Sequence, residues 1–268
     1  MRFDLHLHST RSDGKFEPDE VIRRCALGGL ELVALTDHDL PSGPPPGLHS
    51  FEGREVYLLA GAELSGMWNG RELHLLVYFP DRVPESFASF CADQCRARAS
   101  RFDRAISRLG LVGLAPAEAE AVRGEVSLTR HHLARRMVER GHVGHVRDAF
   151  TKYLSDFHGI VPPIDLGFLE AIAVARAAGG LTAWAHPTVA QVDANLPTFV
   201  AAGLEGIEVV RPGVSGEDRR KLRSAAKRHG LYVTGGSDWH GWGDESDLGL
   251  FRVEAAEIGG FLDRLRAC

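Results

Sequence analysis

Short apolar runs alternate with amphipathic stretches along much of the chain, a pattern typical of strands followed by helices. Residues 2–7 alternate polar and apolar side chains, which predicts a first strand. A helix is predicted from Pro18 to about Leu27, because proline stands in its first turn and two glycines follow its end. Further strands are predicted at residues 32–36, 56–64, 73–79, 181–185, 206–210, 231–234 and about 250–253.

The middle of the chain lacks this alternation. Its amphipathic stretches predict helices at 86–109, 115–122, 128–140 and 146–154, with no convincing strand between them. The alternation resumes with a helix at 168–178. We therefore predict an α/β domain formed by residues 1–84 and 166–268, interrupted by a helical insertion domain at 85–165. Residues 41–49 hold four prolines and two glycines and predict a surface loop.

Most candidate functional residues share one position, the carboxyl end of a predicted strand or the residues just beyond it. His6 and His8 are two apart on a strand and therefore project from the same face. In a barrel of alternating strands and helices, the carboxyl ends of the strands meet on one face, so such side chains are expected to converge there. The other candidates at strand ends are Asp37, His38, Glu63, His186, Asp238 and His240, whereas His74 begins a strand.

A cluster of imidazoles and carboxylates without thiolates suits manganese, iron or zinc, and is too rich in nitrogen for magnesium or calcium. The candidates outnumber the ligands that one or two ions need, so a bridging carboxylate and a third ion fit the set. Such ions lower the pKa of bound water and bind anionic oxygens, and hydrolysis of a phosphoester uses both effects. The chain contains no Gly-x-Ser-x-Gly elbow, P-loop or dinucleotide fingerprint that would indicate another chemistry.

The composition of the 268 residues, 44% hydrophobic and 25% charged, is typical of a globular protein. No apolar run approaches the ~18 residues of a membrane span and no leader pattern opens the chain, so we expect no membrane partner. The net charge of −5 disfavours a broad nucleic-acid surface, and no duplex partner is expected. Cys25, Cys91, Cys95 and Cys268 show no disulfide or zinc spacing, which favours a reducing cytoplasm.

Several short motifs occur in order along the chain: His-Leu-His-Ser (6–9), Asp-Gly (13–14), Thr-Asp-His-Asp (36–39), Gly-Ala-Glu (61–63), Ala-His-Pro (185–187) and Ser-Asp-Trp-His (237–240). Together they resemble the PHP (polymerase and histidinol phosphatase) family of metal-dependent phosphoesterases. The chain looks most like stand-alone members with a helical insertion after the fourth strand, which act as nucleotide phosphatases or 5′-to-3′ exonucleases. The resemblance implies a distorted (β/α)7 TIM-like barrel, the PHP fold, with a trinuclear metal centre.

The resemblance also implies which residues bind each ion. The implied sets are His6, His8, Glu63 and Asp238 for the first ion; Glu63 as a bridge, with His74 and His186, for the second; and Asp13, His38 and His240 for the third. Asp13 replaces a histidine found in some branches, which favours the nucleotide-phosphatase branch. Asp37 and Asp39 are expected to support and orient His38 rather than to bind metal.

The insertion carries Arg130-His131-His132 where relatives usually have Arg-Pro-His, so His131 stands in the proline position. The resemblance implies that Arg130 grips a phosphate, and that His132 donates to that phosphate or protonates the leaving group. The alternative is a helix N-terminus with polar capping residues. Arg211 is a second candidate phosphate ligand. Trp239 either stacks on a base or packs beneath the site, and we favour packing.

The resulting expectation is an enzyme in which a hydroxide bridging two ions attacks a small phosphomonoester, while a third ion and Arg130 neutralise the developing charge. Three divalent ions are expected, with manganese preferred over iron or zinc. The expected substrate is a nucleotide such as a 3′,5′-bisphosphonucleoside, or the 5′ end of a short oligonucleotide. The alternatives are a histidinol-phosphate or other small-metabolite phosphatase and, from a different class, a non-catalytic metal-stabilised module.

Overall fold

The strands of the chain form one sheet that curves into a barrel. The computed structural model describes residues 2–242 and 248–267, so Cys268 lies outside the described residues. In chain order the strands are β1 (Arg2–Leu7), β2 (Leu32–Leu35), β3 (Gly47–Phe51), β4 (Arg54–Trp68), β5 (Arg71–Phe79), β6 (Leu181–Trp184), β7 (Gly206–Val210), β8 (Tyr232–Gly235) and β9 (Val253–Glu254).

Helices pack against these strands and fill the insertion between β5 and β6. In chain order they are α1 (Pro18–Leu27), α2 (Glu85–Leu109), α3 (Ala119–Val122), α4 (Arg130–Glu139), α5 (Val146–Ala149), α6 (Phe168–Ala177), α7 (Val189–Ala201), α8 (Gly216–Arg228) and α9 (Gly259–Ala267). The described residues also include a π-helical turn (Phe150–Leu154) and 3-10 turns at Asp156–His158 and Ala255–Glu257. None of the described helices is long and apolar enough to cross a bilayer.

The sheet consists of two parallel groups joined by one reversed strand. β1, β2 and β4 are parallel neighbours, and so are β6, β7 and β8. β5 lies between the groups and runs antiparallel to both β4 and β6. Of the nine strands, β3 and β9 attach at the margins, which leaves seven in the barrel. The predicted distorted barrel is therefore confirmed, and the reversed β5 is a large part of its distortion.

The two ends of the sheet meet through the segment that follows β8. The N–H of Asp238 donates to the carbonyl of His6 at 2.9 Å, and the N–H of His8 donates to the carbonyl of Trp239 at 3.0 Å. β9 pairs antiparallel with β1 at the opposite end of that strand. This closure brings the end of β1 and the Ser-Asp-Trp-His motif side by side.

The reversal of β5 explains the position of His74. Because β5 is antiparallel to β4, the beginning of β5 lies beside the end of β4, and His74 pairs in register with Ser65. A residue near the start of this strand therefore reaches the same edge as residues at the ends of the parallel strands.

Two predicted segments differ in the structure. Where a loop was predicted at 41–49, β3 pairs antiparallel with β4, and Glu52 and Gly53 form the connecting turn with φ of 53° and 78°. The turn suits a tight hairpin, since two-residue hairpin turns require positive φ. The predicted helix at 115–122 is shorter, because only Ala119–Val122 is helical.

The insertion has its own apolar cluster but shares a helix with the barrel. Phe87 and Cys91 of α2 belong to the barrel core, whereas Ala99 and Phe102, further along the same helix, pack with α4 and α5. Cys25, Cys91 and Cys95 are buried free thiols. The predicted boundaries at 85 and 165 stay a prediction, since α2 takes part in both cores.

A buried arginine ties α2 to the mouth of the barrel. Arg98 is 5% exposed, and its Nε donates to Asp39 Oδ2 at 2.5 Å. Its Nη2 donates to Ser65 Oγ at 2.6 Å and its Nη1 to the carbonyl of Leu128 at 3.3 Å. Asp39 also accepts the N–H of Ser65 at 2.8 Å. Both charges are thus buried and hydrogen-bonded, and removing one would leave the other unpaired.

Replacing Arg98 by methionine should lower the free energy of unfolding by about 3–5 kcal/mol, because Asp39 would remain buried without its cation. Adding Asp39→Asn should restore part of the loss. Chemical denaturation monitored by circular dichroism measures both effects. Arg96→Met is the matched control, since Arg96 lies on the same helix in an exposed pair with Asp93 and should change stability by about 1 kcal/mol or less. Equal losses for Arg98→Met and Arg96→Met would contradict the anchoring role.

Candidate metal centre

One buried carboxylate lies at the centre of the predicted site. Glu63 is 1% exposed and projects from β4 among imidazoles carried by several other elements. Its Oε1 lies 3.3 Å from His6 Nε2, 3.1 Å from His74 Nδ1 and 3.2 Å from His186 Nε2, and its Oε2 lies 3.4 Å from His8 Nε2 and 3.0 Å from His38 Nδ1. The predicted bridging residue therefore contacts imidazoles from all three predicted sets.

The remaining predicted ligands join this cluster from the loops after β1 and β8. Asp238 Oδ1 lies 3.3 Å from His6 Nε2 and 3.2 Å from His8 Nε2. Asp13 Oδ1 lies 3.2 Å from His240 Nε2. All nine residues predicted as metal ligands thus lie in one contiguous cluster at the mouth of the barrel.

The ligand atoms form three groups whose members lie within 4.8 Å of one another: His6, His8 and Asp238; His38, Glu63 and His74; and His8, Asp13, His38 and His240. The first and third groups contain residues predicted to share an ion. The middle group has His38 where His186 was predicted, but His186 Nε2 still lies 3.1 Å from His74 Nδ1. The assignment of each ligand to one ion stays a prediction.

Several buried polar atoms of the cluster have close polar neighbours but, among the described residues, none in hydrogen-bonding geometry: His6 Nε2, His8 Nε2, His38 Nδ1 and Glu63 Oε2. Burying such atoms without a partner costs about 1–3 kcal/mol each. The opposite ring nitrogens of the first two histidines are held, since His6 Nδ1 lies 3.0 Å from Glu208 Oε1 and His8 Nδ1 lies 3.3 Å from Ser12 Oγ. Imidazoles held on one side with a free nitrogen on the other fit metal ligation.

The pKa values in the cluster reflect its crowded charges. Burial disfavours the charged form of His74, but Glu63 and Glu72 outweigh burial and raise its pKa to about 10. Burial likewise opposes a charge on His240, but Asp13 raises the pKa of that imidazole to about 9. For His38 burial prevails and lowers the pKa to about 3. The carboxylates are thus balanced by protons on selected imidazoles, a balance that divalent cations would replace.

Two of the ligand positions have a strained backbone. His186 has φ of 35° and Asp238 has φ of 56°, in the left-handed region that costs non-glycine residues ~1–3 kcal/mol. Each is held by a backbone hydrogen bond, from His186 N to Glu208 Oε2 at 2.8 Å and from Asp238 N to the carbonyl of His6 at 2.9 Å. A Cβ on Gly236 would lie 2.4 Å from His6 Cβ, so glycine is required there. Strain held in place by such bonds is typical of a functional site.

Asp37 and Asp39 have roles different from the predicted one. Asp37 accepts the N–H of Ser9 at 2.8 Å and the hydroxyl of Ser9 at 2.6 Å, so it fixes the loop after β1. Asp39 accepts from Ser65 and Arg98, as described above. Both carboxylates therefore organise the chain around His38 instead of bonding its ring.

Glu72 was missed in the sequence. Its Oε1 lies 3.5 Å from His74 Nε2, and its Oε2 lies 3.0 Å from Arg101 Nη2 and 3.8 Å from Arg130 Nη2. This carboxylate thus connects a predicted metal ligand with arginines of the insertion. The signal was available, because Glu72 and His74 are two apart on one strand and share a face.

Arg130 borders a cavity of about 150 Å³ beside the cluster. The lining includes Asp13, His38, His74, Arg101 and His131. Arg130 Nη1 donates to the exposed Asp156 at 2.5 Å. The predicted phosphate-binding arginine therefore lies next to the predicted metal ligands, although its contact with phosphate stays a prediction.

In the structure His132 and Arg211 contact the chain itself, and their predicted contacts with a substrate stay predictions. His132 Nδ1 accepts the N–H of Thr129 at 3.1 Å in a capping box at the start of α4, as in the alternative stated above. Burial lowers the pKa of His132 to about 4, so the ring is neutral near pH 7, and with Nδ1 as acceptor its proton is on Nε2. Arg211 Nη2 donates to the carbonyl of Pro187 at 2.9 Å, next to His186. A substrate role for Arg211 stays a prediction.

Trp239 packs beneath the site, as we favoured. It is 9% exposed and stacks on Phe16 with ring centroids 5.7 Å apart. The exposed tryptophan near the mouth is instead Trp242, which no sequence argument singled out.

Several known proteins resemble this chain along most of its length. A 3′,5′-nucleoside bisphosphate phosphatase of Chromobacterium violaceum is 33% identical over 250 residues, 90% of this chain and 88% of that protein. The 5′-3′ exoribonuclease Rnm of Escherichia coli is 31% identical over 89% of this chain and 85% of its own length. A phosphoribosyl 1,2-cyclic phosphate 1,2-diphosphodiesterase of Eggerthella lenta is 30% identical over 94% of this chain and 99% of its own length. No protein-family model matches the chain.

A similar fold occurs in a Bifidobacterium adolescentis protein described as a metal-dependent phosphoesterase. The two structures superimpose with a TM-score of 0.79 at 28% sequence identity, over 98% of this chain and 96% of that one. The shared length, the barrel and the cluster of candidate metal ligands agree. The chain therefore belongs to the PHP family of metal-dependent phosphoesterases, hydrolases that act on phosphoric ester bonds.

Proposed function

We propose that the protein hydrolyses phosphate esters of nucleotides, either a 3′,5′-bisphosphonucleoside or the 5′ end of a short oligonucleotide. The observation that carries the proposal is the cluster of nine candidate ligands beside a cavity bordered by Arg101 and Arg130. Metal ligands and guanidinium groups together suit a phosphoryl group. The names of the Chromobacterium and Escherichia relatives support a nucleotide as the rest of the substrate.

The cluster would hold three divalent ions, with manganese first and iron or zinc as alternatives. The three ligand groups support this number, and their mixture of imidazole and carboxylate supports these metals. Bound ions would lower the pKa of a water molecule and neutralise charge on the phosphoryl oxygens. The orphaned nitrogens of His6, His8 and His38 would be the ligand atoms.

The side chains around the cavity would bind and orient the phosphate. Arg130 would exchange its exposed partner Asp156 for phosphoryl oxygens, since a guanidinium can grip them bidentately. Glu72 would keep His74 and Arg130 at a fixed separation, because it contacts both. Its buried partner Arg101 balances that carboxylate. The buried free thiols support a reducing compartment such as the cytoplasm.

Glu63→Gln should abolish binding of at least two of the three ions, because it removes the charge that five imidazoles contact. Metal content after manganese loading and dialysis, measured by mass spectrometry, checks this without reference to turnover. Glu217→Gln, which neutralises an exposed carboxylate of α8, is the matched control and should retain the wild-type content. Full metal content in Glu63→Gln would refute the bridging role.

Metal affinity should rise with pH between about 6 and 8. His74 and His240, with pKa values near 10 and 9, carry protons at pH 7 that must leave before their nitrogens bind an ion. Each displaced proton changes the apparent affinity roughly tenfold per pH unit. Manganese titrations at several pH values, with proton release followed by an indicator dye, measure the effect. An affinity independent of pH would show that these imidazoles are not ligands.

Manganese-loaded protein should release phosphate from 3′,5′-bisphosphoadenosine more than about a hundredfold faster than metal-stripped protein. A colorimetric phosphate assay measures the rates, and stepwise release of mononucleotides from a 5′-phosphorylated RNA distinguishes exonuclease from phosphatase action. Absence of both reactions in protein with demonstrated bound metal would refute the proposed substrate class. Histidinol phosphate and a ribose 1,2-cyclic phosphate test the alternatives, the second being favoured by the Eggerthella relative.

A further inference from the structure

Three side chains form an exposed cluster on the rim of the barrel mouth, which we call the rim cluster: His131 and Arg135 of α4, and Trp242 from the loop after β8. The guanidinium carbon of Arg135 lies 3.7 Å from the centroid of the Trp242 ring system. The ring centroids of His131 and Trp242 are 5.4 Å apart. The indole is 41% exposed, whereas Trp184 and Trp239 are 1% and 9% exposed and serve in packing.

The rim cluster adjoins the metal centre. Trp242 Nε1 donates to the carbonyl of Asp13 at 2.6 Å, so the indole is fixed directly to the backbone of a predicted metal ligand. His131 borders both the cavity beside the metal ligands and a second cavity of about 440 Å³, which Arg135 and Trp242 also line. A ligand whose phosphate lies at the metal centre can therefore extend over His131 onto the indole.

The chemistry of the rim cluster matches a nucleoside followed by a phosphate. A half-exposed indole offers a flat apolar face on which any nucleobase can stack, and a histidine ring beside it enlarges that surface. The guanidinium of Arg135 stacks on the same indole, and stacking leaves the N–H groups at its edge free to donate to phosphate. Its ion pair with Glu139 spans 3.9 Å and is exposed, so a phosphate can replace it at little cost.

We propose that the rim cluster binds the nucleobase of the substrate through Trp242 and His131, and the phosphate of that nucleotide that is not hydrolysed through Arg135. The proposal rests on the proposed function, since the scissile phosphate must lie at the metal centre. The phosphate that Arg135 binds is then the second phosphate of a bisphosphonucleoside, or the 5′-phosphate of a strand whose first phosphodiester lies at the metal centre. The same contacts serve both substrates.

The test compares inhibitors of p-nitrophenyl phosphate hydrolysis by the manganese-loaded protein, because this readout does not require turnover of a nucleotide. The inhibitors are ribose 5-phosphate, AMP, 3′,5′-bisphosphoadenosine and the dinucleotide pApA. Trp242→Ala should raise the inhibition constant of AMP roughly tenfold more than that of ribose 5-phosphate, as expected for loss of one stacked base. Trp242→Phe should recover most of the difference. Arg135→Gln should raise the inhibition constants of 3′,5′-bisphosphoadenosine and pApA several-fold more than that of AMP, whose single phosphate lies at the metal centre.

Tyr57→Ala is the matched control, since Tyr57 is 40% exposed on β4 at the opposite end of that strand from Glu63. It should change no inhibition constant. If Trp242→Ala raises the inhibition constants of AMP and ribose 5-phosphate equally, the inference is overturned, because the indole would then act only through its hydrogen bond to the carbonyl of Asp13. If nucleotides inhibit in a Trp242-dependent manner but are not hydrolysed, the rim cluster stands and the proposed reaction fails. If nucleotides are hydrolysed but Trp242→Ala weakens inhibition by AMP and by ribose 5-phosphate equally, the proposed reaction stands and the inferred role of the rim cluster fails.

Discussion

The structure depends on one buried carboxylate surrounded by imidazoles. Glu63 contacts five histidines, and these come from three strands or strand ends (β1, β2 and β5) and the loop after β6. Such a group of polar atoms cannot be buried in a dry barrel without cations or protons to balance it. The rest of the mouth serves this requirement: Glu208 holds the ring of His6 and the backbone of His186, and a strained backbone aims His186 and Asp238 inward.

The insertion is attached to the barrel through charges and not through apolar contact alone. Arg98 bonds Asp39, one residue beyond His38, and Arg101 bonds Glu72, which contacts His74. Both arginines are nearly buried, so their positions are fixed. An element added between β5 and β6 is in this way coupled to the residues that surround the metal centre. The coupling gives the insertion a direct effect on the geometry of the site.

Much of the site could be predicted because its signals are local. A histidine or carboxylate at the end of an apolar run is visible in the sequence, and closure of the barrel then brings such ends together. The direction of β5 was not visible, since a hairpin and a crossover use similar apolar runs, so the sequence did not show that the start of β5 lies at the mouth of the barrel. Glu72 shares a face with His74, but its arginine partners come from the insertion and could not be identified from the sequence. His132 caps the start of α4 together with Thr129, three residues before it. The sequence offered capping and a phosphate contact as interpretations of His132, and only the geometry of α4 shows the capping contact. Trp242 and Arg135 are more than a hundred residues apart in the sequence, and no local pattern indicates that their side chains are in contact.

The ligand cluster and the rim of the barrel mouth are therefore formed by different kinds of structural element. Most candidate metal ligands lie on strands or directly after them, where packing of the barrel fixes them, whereas Arg130, Arg135 and Trp242 come from an inserted helix and a loop. Loops and insertions tolerate change that a closed barrel does not. Relatives of similar length carry names that denote a bisphosphate phosphatase, an exoribonuclease and a cyclic-phosphate diphosphodiesterase. A ligand cluster held by the barrel, beside a rim built from an insertion and a loop, would allow such a range, because the rim residues can change without moving Glu63 and its imidazoles.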